Sequence, residues 1–276
     1  MLEPHFSESQ LQQAANTAFI RRVFEHHGSW AFAHVPSLIA EFDLGWDTAF
    51  HLPWLPHLPN ANDEGCNFFL QYKLSFVLTS PGAIEWPQWG VEYFRFKIPH
   101  STRNASGSYE EDYHQWDSLK ALANKNYPTF YATNSTLSKA ELQSALQAGN
   151  LLDSVPLLDV RTVTAKHKHV TFTPSSKSFA LHSEKEETKK LSFASTLILL
   201  AEGEQLSIEA STKKLLSTLK EMGENDEEWN RDLARIGSAS DQALPRRIQA
   251  WAKHAFLASF VRKHVGVELL WLPKGG

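Results

Sequence analysis

Gln71 and Lys73 stand two residues apart in the apolar run Cys66-Asn67-Phe68-Phe69-Leu70-Gln71-Tyr72-Lys73-Leu74. Successive strand side chains point to opposite faces, so Gln71 and Lys73 share one face while Leu70, Tyr72 and Leu74 take the other. An ammonium buried without a partner is costly, which sends Lys73 to a strand end or to a cleft beside a carboxylate. The upstream acidic segment Glu41-Phe42-Asp43-Leu44-Gly45-Trp46-Asp47 contains a carboxylate, Asp47, inside another strand-like run, and Asp47 can be that partner. The plainer reading of Gln71 and Lys73 is an edge strand with a polar face, since lysine on an edge discourages aggregation. For Glu41 and Asp43 it is loop acids or caps.

The elements that must position these residues follow from periodicity. Ser7 or Ser9 caps a predicted helix through Leu11, Ala15, Ala18, Phe19 and Val23, ending near Gly28. Short strands are expected at 29–34 and 44–52, followed by a Pro-rich and polar loop at 53–65 and then the strand carrying Gln71 and Lys73. Residues 91–98 alternate as a strand with Arg95 and Lys97 on one face. A helix over 109–125, a buried strand at 129–133, a helix from Ser138 to Gly149, and strands near 157–163, 170–172 and 179–182 complete this part. Glu184 to Lys190 reads as a solvated charge block. Helices over about 190–203, 205–222, 226–236 and 244–264 follow, and 266–272 is a possible closing strand. The expected organisation is an α/β domain over 1–183, with a mixed central sheet flanked by helices, and a mainly helical C-terminal region over 184–276 packed on it.

Composition narrows the function classes. A chain of 276 residues with nine Trp and seventeen Phe can bury a sizeable core. The single cysteine, Cys66, rules out an internal disulfide framework, and the sequence opens with no basic region followed by an apolar one. A cytoplasmic location is the expectation. The apolar runs are far shorter than the roughly 18 residues that span a bilayer. A net charge of −4 argues against a protein that coats nucleic acid by long-range attraction, but not against an enzyme with an acidic metal site.

A helix, a strand with an acid, an X-any-Lys strand, and then a further helix and strand resemble the restriction-endonuclease-like PD-(D/E)XK nuclease superfamily. The resemblance spans roughly residues 8 to 134. Asp47 matches the family's strand acid, and Gln71-Tyr72-Lys73 matches its Glu/Asp-any-Lys triplet, with Gln where an acid is usual. Some restriction-like nucleases carry this Gln-any-Lys form. The resemblance implies Asp47, Gln71, Lys73 and Glu41 as catalytic residues, with Mg2+ or Mn2+ held by Asp47, Gln71 and Glu41. Magnesium prefers carboxylate and carbonyl oxygens and keeps several waters, which suits phosphodiester cleavage. Lys73 would position or deprotonate the attacking water. Arg95, His114 and Gln115 are the expected substrate contacts, Arg95 as a bidentate phosphate donor unless it is a surface cation paired with Glu92 or Glu110.

Other constellations carry less. His167 and His169, flanked by Lys166 and Lys168, read as an exposed strand before a zinc pair. Cys66 heads an apolar strand, where a thiol is usually inert. No nucleophile elbow and no phosphate-cradling Gly-rich loop occurs. The stretch 245–264 combines cations with an apolar stripe of Ile248, Trp251, Ala252, Ala255 and Ser259, so a packed helix with a basic face is expected, open to a partner protein, a second copy or nucleic acid. The implied activity is metal-dependent cleavage of DNA, more than RNA, in prokaryotic defence. The alternatives are an inactive nuclease-fold interaction subunit and an RNA-binding or RNA-processing protein.

Overall fold

A computed structural model describes residues 1–27, 63–103, 108–183, 186–242 and 246–274. The protein is mixed α/β, with sheets flanked by helices. It divides into two compact units: the first comprises residues 1–22 and 70–198, the second the described parts of 23–69 and 199–276. The expected strands at 29–34 and 44–52, and with them Glu41, Asp43 and Asp47, lie outside the described residues.

Three elements contribute residues to both units: α1 (Glu8–His27), β1 (Glu64–Lys73) and a later helix, Phe193–Ala201. The first unit continues from β1 through β2 (Phe76–Leu78), α2 (Trp86–Trp89), β3 (Tyr93–Lys97), β4 (His100–Arg103) and β5 (Tyr109–Asp112). Next come α3 (His114–Asn124), β6 (Thr129–Thr133), α4 (Lys139–Ala148), α5 (Leu151–Ser154) and β7 (Pro156–Asp159). The unit closes with β8 (His169–Phe172), β9 (Ser178–His182), β10 (Glu186–Lys189) and β11 (Leu191–Ser192), which leads into α6 (Phe193–Ala201).

One sheet of this unit runs β11-β7-β6-β1 and a second runs β10-β9-β8-β3-β2, with every pairing in the second antiparallel. β4 and β5 form a separate hairpin. Arg95, an expected substrate contact, lies on β3, which pairs with β2 and β8 and not with β1, the strand of Lys73. The core of the second sheet is aromatic, with Phe94, Phe96, Phe172 and Phe179 in mutual ring contact. The charge block is also not purely solvated, because Glu186 to Lys189 pair with β9 as a fifth strand.

Local signals explain the helix ends. Ser7 and Gln10 form a reciprocal capping box, Ser7 Oγ accepting from the Gln10 N–H and Gln10 Oε1 from the Ser7 N–H. Ser138 caps α4 at its start, and Gly149 ends it in the left-handed conformation that glycine adopts without strain.

In the second unit the first residues of β1 pair with β12 (Leu206–Ser207), and β13 (Glu268–Pro273) also pairs with β1. Helices α7 (Ile208–Met222), α8 (Glu227–Gln242) and α9 (Arg246–His264) supply the rest. Trp251 and Trp271 meet edge to face at 4.9 Å beside Ile208 and Ala250. The buried stripe of α9 is Trp251, His254, Leu257, Phe260 and Val261. The stripe read from sequence is rotated from it, because His254 goes inward to hydrogen-bond Asn67 at 2.7 Å.

At Gly65 the backbone of β1 lies directly against Trp271 and Leu272 of β13. A Cβ there would sit 2.5 Å from the Leu272 carbonyl oxygen and overlap the Trp271 indole. We expect Gly65→Ala to destabilise the fold by about 3 kcal/mol, the upper range for overpacking, because backbone rather than a flexible side chain must move. Urea unfolding measures it, and a midpoint equal to the wild type's would refute the close approach.

Candidate functional site

Lys73 is the last residue of β1 and only 5 % exposed. Sequence reasoning placed Lys73 at a strand end or in a cleft beside a carboxylate, with Asp47 as the candidate; Lys73 does end β1, and the carboxylate that acts on it among the described residues is Glu8. Burial lowers its ammonium pKa from 10.5 to about 8, and the charge of Glu8 only partly restores it. The segment that follows is held rigidly. The Asn134 side chain accepts from the Ser75 N–H at 2.7 Å and donates to the Ser75 carbonyl at 3.0 Å, copying a strand pairing. The Ser75 and Thr133 hydroxyls share a hydrogen bond of 2.6 Å. Ser75, Thr133 and Asn134 are all buried, so the chain leaves Lys73 along a path it cannot easily change.

Glu8 arrives from the other side. Leu2 pairs with Val77 through two backbone hydrogen bonds, the His5 N–H donates to the Leu137 carbonyl, and the Ser7 cap then starts α1 with Glu8 as its first residue. Burial raises the Glu8 carboxyl pKa, against the opposing pull of the Lys73 and His100 charges and a hydrogen bond from the Leu74 backbone. Both members of this pair are thus pushed toward neutrality by desolvation.

The third component is a hairpin and the helix after it. β4 and β5 pair with His100 opposite Asp112, three residues before Gln115. Asp112 turns the chain into α3 by accepting from the His114 N–H at 2.8 Å. Trp116, buried and stacked on Tyr131 at 6.3 Å, anchors α3 against β6. Gln115 is thereby fixed: its Oε1 accepts from Lys73 Nζ at 3.2 Å and touches His100 Nε2, which itself lies 2.6 Å from Lys73 Nζ.

Gln71 is 5 % exposed on the same face of β1. Its amide nitrogen donates to the Tyr72 carbonyl at 3.0 Å, while its Oε1 is buried with no hydrogen-bond partner among the described residues. An orphaned buried acceptor costs about 1–3 kcal/mol unless something occupies it, and Gln71 Oε1 is one of several buried polar atoms of the described residues in that condition, Tyr131 Oη and Gln205 Oε1 among them. A hard cation would satisfy Gln71 Oε1, and Mg2+ typically takes one or two carboxylates and leaves its other positions to water and substrate. Gln71 and Glu8 are donors of that kind. Among the described residues no group of three His, Cys, Asp or Glu side chains forms a metal cage.

Asp47 and Glu41 lie outside the described residues. His114 is exposed, and its backbone N–H donates to the Asp112 carboxylate. Arg95 is half-buried and pairs with Glu85 at 3.5 Å, a carboxylate different from either expected from sequence; Glu85 also accepts from the Tyr93 hydroxyl. His167 is corrected from an exposed position to a fully buried one, bonded to Glu186 at 2.9 Å. Cys66 is buried, with its thiol pKa pushed up to about 11, as an inert thiol requires. On the basic face of α9, Arg262 is held by Glu268 and Lys263 by Asp232 and Glu228.

Sequence reasoning missed Glu8 and His100. Comparison with protein-family models, with curated proteins and with solved structures finds no match.

The burial of Lys73 has a measurable cost. Its folded pKa lies below its unfolded one, so the penalty is present in full below about pH 8 and disappears as pH rises toward 10.5. We expect Lys73→Met to raise stability at pH 7, by at most about 3 kcal/mol, with the gain vanishing across that window. Thermal melts at pH 7 and pH 10 check it. A variant that is less stable at pH 7 would show that Lys73 is not desolvated.

Proposed function

We propose that the protein is a metal-dependent nuclease that hydrolyses phosphodiester bonds, with DNA the leading substrate and a restriction-endonuclease-like core around β1. The observation that carries this reading is a desolvated lysine beside a helix-borne carboxylate, two residues along one strand face from a buried amide oxygen that has no partner among the described residues. Proteins keep costly buried charges where function needs them, and perturbed groups of this kind cluster at active sites. The set agrees with the resemblance drawn from Gln71-Tyr72-Lys73. It adds Glu8 as a carboxylate on the preceding helix.

In this reading Glu8 and Gln71 hold a Mg2+ or Mn2+ ion, with Asp47 and Glu41 the further carboxylates named from sequence. When bound, the ion neutralises phosphate oxygens and lowers the pKa of a water molecule. Lys73 supplies the proton chemistry. With a pKa of about 8 a usable fraction is neutral amine near pH 8, and that amine takes the proton from the attacking water. The water oxygen forms a bond to phosphorus, one ester P–O bond breaks, and the leaving oxygen ends as a hydroxyl after protonation. The products are a phosphate monoester and an alcohol. As ammonium, Lys73 offsets the extra negative charge of the pentacoordinate transition state. A role in defence against foreign DNA follows from the nuclease resemblance alone.

Supercoiled plasmid, linear DNA and RNA incubated with Mg2+ or Mn2+ test the proposal. Cleavage should fall by about a hundredfold or more in Lys73→Ala and in Glu8→Ala, with folding retained by circular dichroism. Calorimetric titration should show Mn2+ binding weakened in Glu8→Gln and Gln71→Leu. A wild-type protein that binds no divalent ion and cuts none of the three substrates would leave the non-catalytic nuclease-fold subunit as the reading to keep.

A further inference from the structure

We propose that the open face of the second sheet binds the backbone phosphate of a nucleic-acid strand, with Lys97, His169 and His182 as its donors. This site lies apart from the Lys73 cluster and shares with the nuclease reading only the class of ligand.

Strand register assembles it. His169 on β8 stands directly opposite Lys97 on β3 and opposite His182 on β9, so the three side chains form one row across three strands, on one face. The next row on that face is Phe76, Arg95, Thr171 and Ala180. The other face of the same strands, with Phe94, Phe96, Val170 and Phe172, is buried. Lys97 is exposed and His169 and His182 are half-buried, so the row meets solvent.

The donors of this row are unmet. Among the described residues Lys97 makes no ion pair and His169 no hydrogen bond. His182 is oriented by a relay. Buried Thr171 places its hydroxyl between the Trp89 indole N–H at 3.0 Å and His182 Nε2 at 2.7 Å. An indole N–H only donates, so the hydroxyl accepts from Trp89 and sends its own proton to His182 Nε2. The proton of the neutral His182 ring therefore sits on Nδ1, which has no hydrogen-bond partner among the described residues.

Charge favours an anion here. Glu85 is the buried carboxylate of this face, and it is already held by the Tyr93 hydroxyl at 2.8 Å and by Arg95. Glu187, opposite Ala180, accepts from the Gln88 amide. Arg95 thus cancels Glu85, and Lys97 is left as the uncompensated charge of its own row. Hydrogen bonds from such donors to phosphate are the stronger class. An open sheet face suits an extended strand, whereas small ligands take enclosed, concave sites. Half-exposed Trp89, pinned to Thr171 one row away, offers a ring on which a base can stack.

Burial and the charge of Arg95 hold the His169 pKa below its ordinary 6.5, with Lys97 and His182 acting in the same sense and Glu85 against them. A bound phosphate favours the imidazolium, so affinity should rise as pH falls through the His169 pKa.

Fluorescence anisotropy of a labelled oligothymidylate, titrated with the full chain in chelator-containing buffer so that no metal-dependent cleavage intervenes, tests the site. Lys97→Ala should weaken binding about tenfold and lower the slope of log K against log salt by about 0.7, the share of one phosphate contact on a single strand. His169→Gln should abolish the rise in affinity from pH 8 to pH 5.5. The control Lys213→Ala should match the wild type, and a mononucleotide should compete more weakly than the strand. Unchanged affinity and salt slope in Lys97→Ala, or a mononucleotide that competes as well as the strand, would overturn the site. The expected pattern in a protein that cuts no nucleic acid would support the site and remove the nuclease reading alone, whereas cleavage by a protein whose strand binding is indifferent to Lys97 would do the reverse.

Discussion

The free energy needed to desolvate the Lys73 ammonium is the constraint that the first unit is arranged around. A charge at the end of an otherwise apolar strand cannot be tolerated by packing. It has to be met by groups brought from other elements, each fixed well enough not to drift away. The backbone bridge from Leu2 to Val77 and the Ser7 cap fix Glu8; the hairpin register and the Trp116–Tyr131 stack fix His100 and Gln115. The Asn134 clamp on Ser75 fixes the strand's exit. These anchors are the reason the polar atoms converge within hydrogen-bonding distance.

Other buried charges of the protein show what a satisfied arrangement looks like. Asp232 is almost fully buried but is held by Lys263 at 2.6 Å and His264 at 3.0 Å, which keeps its carboxyl low despite burial. Glu85 accepts from Tyr93 at 2.8 Å and meets Arg95. Both carboxylates have direct opposite partners, so they complete the fold and ask for nothing more. Lys73 differs. Its nearest polar atoms are an imidazole and an amide, and its carboxylate acts through charge alone. This contrast sets Lys73 apart from the structural ion pairs, to which Arg262 and Lys263 on the basic face of α9 also belong.

How much of this the sequence revealed depends on whether the signal was periodic. β1, β6, α4, α7 and β13 were legible because apolar spacing and capping residues marked them, and Gln71 and Lys73 were legible because they broke an apolar run. Glu8 was not, since an acid in the first turn of a capped helix already has a sufficient explanation in the helix dipole. His100 lies in a stretch without period, and its role arises from register with Asp112, a pairing no local pattern announces. The block from Glu184 was misread for a related reason. Its charges hid an alternation in which Glu186 and Thr188 are half-buried while Glu187 and Lys189 are exposed, with Glu186 drawn inward by His167 and Thr164. In α9 a histidine occupied an inward position because Asn67 satisfies it, and a hydrophobicity pattern cannot count a buried hydrogen bond.

Replacing the usual acid of the triplet by Gln71 changes the charge balance of the proposed site in a way that links its two ligands. Among the described residues its fixed charges are Glu8 and Lys73, which cancel, so a divalent ion meets little net attraction from them alone. The same balance puts no excess negative charge among the described residues of the proposed site to repel a polyanion. A bound phosphate then supplies the negative oxygens that the amide does not, and by linkage the ion and the nucleic acid each raise the other's affinity. A site of this composition would stay weakly loaded until substrate arrives. In the proposed reading Gln71 would make metal binding weaker in the free protein than in the complex, without removing any group the reaction would need.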